Sequence, residues 1–150
     1  MAKRKSLKTD PCPVARALDV IGERWSLLIV RDAFDGMRRF GEFQKSLGVA
    51  KNILADRLHT LVEEGIFTIA PASDGTAYQE YVLTHKGLGL FPVVVGVRQW
   101  SEAQLFEPGE AHSTLLQRGS GLPVRRIDVL AEDGRVLQAG DAVVHKVSPP

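Results

Sequence analysis

Residues 40–83 read FGEFQKSLGVAKNILADRLHTLVEEGIFTIAPASDGTAYQEYVL, and a change of period inside this stretch decides the fold. Gly41–Leu47 is a short helix with Phe43 and Leu47 facing inward. Gly48 ends it, and Gly48-Val49-Ala50 is a tight turn. A longer helix then runs from Lys51 to Glu64, with Leu54, Leu58, Leu61 and Val62 clustered on one face at helical spacing. Asn52, Asp56, Thr60 and Glu63 fall opposite, with His59 on the flank. Gly65 closes the helix. Ile66–Ile69 then reads as a strand, Pro71–Thr76 carries turn residues, and Tyr78–Leu83 reads as a second strand.

Working outward, Pro13 suits a first helical turn, because its missing N–H would find no partner there. Val14, Ala17, Leu18 and Ile21 continue a helix over 13–21 that Gly22 ends. A second helix, Trp25–Phe34, is apolar on nearly every side and belongs in the core. Downstream, Thr84 is a good N-cap for a long helix over 85–102, and Gly87, Gly89 and Pro92 predict a kink or irregular first turns. Glu107-Pro108-Gly109 breaks the chain. Beyond it, Pro123–Leu130, Arg135–Leu137 and Ala142–Val147 read as strands, and Asp133-Gly134 is a hairpin turn signal.

Whole-chain properties bound the function. The chain has 150 residues, the size of one ordinary domain with room for an appendage. No apolar run approaches the ~20 residues of a membrane helix, and no apolar core follows the basic start, so a cytoplasmic location without membrane partners is expected. Cys12 stands alone, so the fold does not rest on disulfides. Net charge is +1, split as +3 over residues 1–101 (14 Lys and Arg, 11 Asp and Glu) and −2 over 102–150 (5 and 7). That asymmetry is too mild to identify a partner.

The order helix, helix, helix, helix, hairpin, helix is that of a winged helix-turn-helix. In this motif the second helix of the pair enters the major groove with its first residues on base edges. Lys51, Asn52, Asp56 and His59 are therefore expected to face bases; an Asn amide matches adenine, and a carboxylate accepts from cytosine. Arg38, Arg39 and Arg57, with Ser73, Gly75 and Thr76 at the hairpin tip, are expected to hold the phosphate backbone. Trp25 and Trp100 read as core or interface anchors. His85, His112 and His145 lack ligand spacing, and no metal or cofactor is expected. No nucleophile elbow, phosphate loop or metal motif appears, so an enzyme is not expected. The competing class is a protein-interaction module that keeps the winged-helix fold without binding DNA.

The residues also carry a resemblance. Cys12-Pro13, Ala17–Gly22 running into Trp25 and Leu27–Ile29, Arg38–Phe43, Ile53–Leu58, Glu63–Ile66, Glu80–Thr84 and Gly87 resemble the HxlR-type family of bacterial winged-helix regulators, over about residues 11–101. The resemblance implies a homodimer on repeats in promoter DNA, with the first and last helices of the domain at its interface. It also implies that Cys12 is a candidate sensor of oxidants or electrophiles, and so a small-molecule or electrophile effector. A helix start and Arg16 would favour a thiolate there. Two departures stand out. Tyr78-Gln79 replaces the basic residue with which the second wing strand opens in many relatives. Gln117–Gly121 and Ala131–Gly134 stand where some relatives have the Cys pairs of a zinc ribbon. With no cysteine there, a Cys-ligated zinc cannot form.

The expected architecture is thus an α+β winged helix-turn-helix with a long C-terminal dimerisation helix and a small β-rich C-terminal appendage. Residues 1–10 are expected as a flexible basic tail and 11–104 as the DNA-binding and dimerisation domain. Residues 105–150 are expected as a small β-hairpin appendage or a degenerate zinc ribbon without metal. The expected function is a sequence-specific DNA-binding transcriptional regulator acting as repressor or activator.

Overall fold

Glycines at positive φ set the corners of the helical layer. Helix α3 (Phe40–Leu47) ends at Gly48, whose φ of 63° lets its amide return to the Gln44 carbonyl. Val49 is buried in the turn, and Ala50 precedes α4 (Lys51–Glu63). At the far end of α4, Gly65 at φ 75° lets the Ile66 amide reach the Leu61 carbonyl and turns the chain into the sheet. The computed structural model describes residues 5–148, in two units: residues 5–91 with 146–148, and residues 92–145.

In the first unit, α1 (Pro13–Ile21) and α2 (Arg24–Phe34) precede the α3–α4 pair. Ile29 and Val30 of α2, Phe43 of α3, and Leu54, Leu58 and Leu61 of α4 are fully buried and form the core. No residue of α1 is buried, and its Val14 and Leu18 stay exposed. Of the expected N-terminal tail, residues 1–4 lie outside the described residues, while the Leu7 amide donates to Asp19 Oδ1 at 2.9 Å.

Strands β1 (Phe67–Pro71) and β2 (Gln79–Leu83) pair antiparallel, with Phe67 opposite Leu83 and Pro71 opposite Gln79. The first strand begins one residue later than expected and runs through Pro71, because Pro71 pairs at the strand's end, where a missing N–H costs little. Phe43, Phe67 and Tyr81 meet edge to face at 6.3–6.4 Å, fixing the sheet to α3. The Tyr81 amide also donates to the Arg38 carbonyl at 2.7 Å.

The expected single helix over 85–102 is two helices, α5 (His85–Leu88) and α6 (Phe91–Gln104), broken at Gly89-Leu90. Thr84 caps α5 by accepting from the Gly87 amide, and its hydroxyl donates back to the Gly65 carbonyl. Phe91, still exposed, meets Phe34 edge to face, 5.4 Å between ring centroids.

The second unit consists of α6 from Pro92 onward and the tail. Gln99 of α6 grips the tail with its side-chain amide as a strand would: Nε2 donates to the Arg125 carbonyl at 3.1 Å, and Oε1 accepts from the Ile127 amide at 2.7 Å. Arg98 donates to the Ser113 carbonyl and hydroxyl. The expected tail strands do not form as regular strands. Two isolated antiparallel bridges, Leu116 with Pro123 and Leu130 with Val136, close turns at Gly119–Gly121 and Asp133-Gly134, and a 3-10 turn spans Ala139–Asp141. Each ladder is one bridge long, and among the described residues neither has a third strand to extend it. No helix among the described residues is long and apolar enough to cross a membrane.

Candidate nucleic-acid interface

The α3–turn–α4 pair leaves the start of α4 bare. Leu54, Leu58 and Leu61 hold one face of α4 in the core, so Lys51, Asn52, Ile53, Ala55, Asp56 and His59 stand in solvent. The α4 N-terminus brings its first amides and the positive end of its dipole to the same place. Among the expected base-facing residues, Lys51, Asn52 and Asp56 group at this end. His59 lies a turn further on, with Nε2 3.0 Å from Glu63 Oε1.

Ile53 was missed as a site residue in the sequence. It sits beside the buried Leu54 and is yet 38% exposed, at the start of the helix that would enter the groove. An apolar side chain there suits a thymine methyl group. The signal was available: Ile53 lies off the Leu54/Leu58/Leu61 stripe, so burial does not account for it.

Arg57 is turned back into the protein. Its Nη2 lies 3.3 Å from Glu23 Oε1, at the N-cap of α2, and its Nη1 donates to Asp56 Oδ2 at 3.1 Å. The pairing ties α4 to the start of α2.

A second group forms where α3 begins. Arg39 is the N-cap residue of α3, and Glu42 one turn in accepts from the Arg38 and Arg39 amides at 3.1 and 2.9 Å. Those two bonds hold the Glu42 carboxyl below its ordinary pKa. The Arg39 guanidinium donates to Asp74 Oδ2, stacks over the Tyr78 ring at 4.9 Å, and lies 3.9 Å from Glu80 Oε2. Arg38, more exposed, reaches Glu80 Oε1 at 3.7 Å. Glu80 is a buried carboxylate on β2 that also accepts from the amide and hydroxyl of Ser73, both at 3.3 Å.

The tip between the strands is exposed from Ser73 to Tyr78. Gly75 takes φ 78°, and Asp74 Oδ1 accepts from the Thr76 amide at 3.0 Å. The Thr76 amide and hydroxyl and the Arg39 guanidinium hold the Asp74 carboxyl down at about 2, and Asp74 in turn raises Arg39. Ser73, Gly75 and Thr76 thus share the Arg38–Arg39 site, while Arg57 belongs to the α4–α2 junction. Sequence reading missed the acidic partners Asp74 and Glu80, which come together only through the strand register.

Cys12 is exposed at the N-cap of α1, and its amide donates to Asp10 Oδ1 at 2.8 Å. Arg16 lies one turn along, its Nε donating to the Asp10 carbonyl at 3.1 Å. No group of three or more His, Cys, Asp or Glu side chains among the described residues could hold a metal ion.

Comparison with known proteins matches this geometry to one family. The model of the HxlR-like helix-turn-helix family matches residues 20–108. The uncharacterized HTH-type transcriptional regulator Rv3095 of Mycobacterium tuberculosis is 45% identical over 95 residues, covering 63% of this chain. This chain spans only 60% of that regulator's length. The crystal structure of PA1607, reported as a candidate transcription factor, is 57% identical with a TM-score of 0.89, over 94% of this chain and 99% of that one. The redox regulator HypR in its reduced form is 30% identical with a TM-score of 0.58, over 63% of this chain and 94% of that one. The family is one of transcriptional regulators rather than enzymes. With more than half of its residues matched, this chain belongs to the HxlR-like helix-turn-helix family of transcriptional regulators.

Proposed function

We propose that the protein is a sequence-specific regulator that binds promoter DNA as a homodimer in the cytoplasm. The observation that carries this reading is the start of α4. Lys51, Asn52, Ile53 and Asp56 stand exposed there, on a helix whose opposite face is fully buried. A cation, an amide, an apolar tip and a carboxylate are the side-chain types that read base edges in the major groove. Arg38 and the Ser73–Thr76 tip supply backbone contacts beside them.

The dimer reading rests on apolar surface. Val14 and Leu18 lie one turn apart on α1 and are exposed. Val93, Val97 and Trp100 form a single exposed stripe on α6 at i, i+4 and i+7. A second copy of the chain is the occupant these stripes fit, since a two-fold dimer would read two half-sites.

Cys12 is the proposed effector site: an exposed thiol at a helix start, in a chain similar to a redox regulator. Oxidation or alkylation there would act next to the α1 surface.

A mobility-shift titration with DNA from upstream of the gene, with and without diamide, tests both parts. Selective binding that weakens steeply with salt supports the regulator, and loss of binding with diamide that Cys12→Ser abolishes supports the sensor. Absence of selective binding to neighbouring promoters would favour a protein-interaction module instead.

A further inference from the structure

The two arginines before α3 do different work. Both were expected to grip phosphate, and a free arginine beside a polyanion would do so. Arg39, however, is engaged on three sides within its own unit: the Asp74 carboxylate at the wing tip, the Tyr78 ring, and buried Glu80 on β2. Those partners come from three places along the hairpin, and the guanidinium bridges them to the N-cap of α3. Glu80 fastens the same hairpin a second time, through the Ser73 amide and hydroxyl.

We infer that Arg39 is a positioning residue, the bolt that fixes the β1–β2 hairpin to the start of the helix-turn-helix, and that Asp74 and Glu80 are its sockets. The inference rests on the DNA-binding reading and says how the wing is aimed in that reading. Two flexible arms become one rigid surface, so the tip meets the backbone already oriented and the ordering cost is met before binding. Arg38 is left as the cation at this corner that meets phosphate, because its guanidinium is half exposed and touches Glu80 only at 3.7 Å. The low pKa of Asp74 agrees with a carboxylate held by Arg39 and the Thr76 groups.

This account makes a prediction opposite in sign to simple electrostatics. Asp74 is an exposed negative charge on a surface that would face phosphate. If Asp74 merely competed for Arg39, its removal would free a cation and tighten binding. As a socket of the bolt, its removal loosens the wing and weakens binding.

Asp74→Asn is the suitable variant, since its amide oxygen can still accept from the Thr76 amide and keep the tip turn. The full chain would be titrated by fluorescence anisotropy against a duplex of the DNA immediately upstream of its gene, alongside hydrogen exchange of the DNA-free protein. The expected result is roughly two- to fivefold weaker binding, the range of an exposed ion pair, with faster exchange over Ser73–Tyr78 and an unchanged melting temperature. In an Arg39→Ala background the same substitution should carry no penalty. Arg38→Ala should leave wing exchange unchanged and flatten the salt dependence by about one phosphate. Tighter binding by Asp74→Asn, or unchanged exchange at the tip, would overturn the bolt while leaving the DNA reading standing. Failure of the wild-type chain to bind that duplex would overturn the DNA reading, and unchanged tip exchange in Asp74→Asn would overturn the bolt as well.

Discussion

At the scale of single residues, Arg57 separates a structural cation from a DNA contact. Its guanidinium spans Glu23 and Asp56, and its Nε is buried without a hydrogen-bond partner among the described residues. Arg57→Ala should therefore lower stability by about 1 kcal/mol, read as a melting shift, and leave the salt slope of DNA binding unchanged. A flattened slope with unchanged stability would return Arg57 to the phosphate set. Asn52 and Ile53 should behave in the other way. Asn52→Ala should relax base choice at one position by about 1–3 kcal/mol, and Ile53→Ala should erase a preference for thymine, both measured by a selection from randomised half-sites. Asp74 fixes a pH expectation. Its carboxyl titrates near 2 in the folded chain against an ordinary 3.8. A lowered folded pKa contributes stability that is complete above the ordinary value and lost as pH falls toward the folded one. Wing protection, taken as exchange relative to the intrinsic amide rate, should thus be flat from about pH 5 to 8 and fall only below about pH 4. A loss of protection near neutrality would implicate some other group. Legibility at this scale followed burial. The exposed Lys51, Asn52 and Asp56 were visible from the leucine stripe opposite them. The engagement of Arg39 and Arg57 was not, since a sequence shows a cation but not its partner across the fold.

At the scale of elements, the glycines that break helices had the most to say. Gly48 and Gly65 bound α3 and α4 where the period predicted. Gly87 does something the pattern did not disclose. A Cβ at Gly87 would lie 2.3 Å from the Ile66 carbonyl oxygen and 2.9 Å from Leu83 Cδ2, so α5 can pack on the sheet only without a side chain there. Gly87→Ala should cost about 1–3 kcal/mol, read by denaturant unfolding. Full stability would mean that α5 can shift away. The tail strands were over-read because β-branched residues such as Val124, Ile127 and Val129 look like sheet, whereas only single bridges form and Gln99 supplies pairing from a helix. For α6, the Val93/Val97/Trp100 stripe stays exposed among the described residues. On the proposed homodimer, Val97→Glu should give a monomer by light scattering while the fold persists by circular dichroism. A variant that remains dimeric would put the interface elsewhere.

At the scale of the molecule, the pieces fit one task. A buried leucine face holds α4 so that its start is presented to solvent. An arginine at the head of α3 holds the hairpin beside it. Apolar residues stay exposed on α1 and, separately, on α6. The fold was legible because helical and strand periods alternate sharply in residues 40–83, and because Gly, Pro and Thr mark most boundaries. What was not legible depends on contacts between segments far apart in sequence, such as Arg39 with Asp74. The most direct test of the central claim is a salt titration of binding to the upstream DNA, with a footprint at one salt concentration. The account predicts two protected half-sites about one helical turn apart, or a multiple of it, and affinity that falls as a steep power of salt. Uniform protection without half-sites, or affinity indifferent to salt, would contradict it.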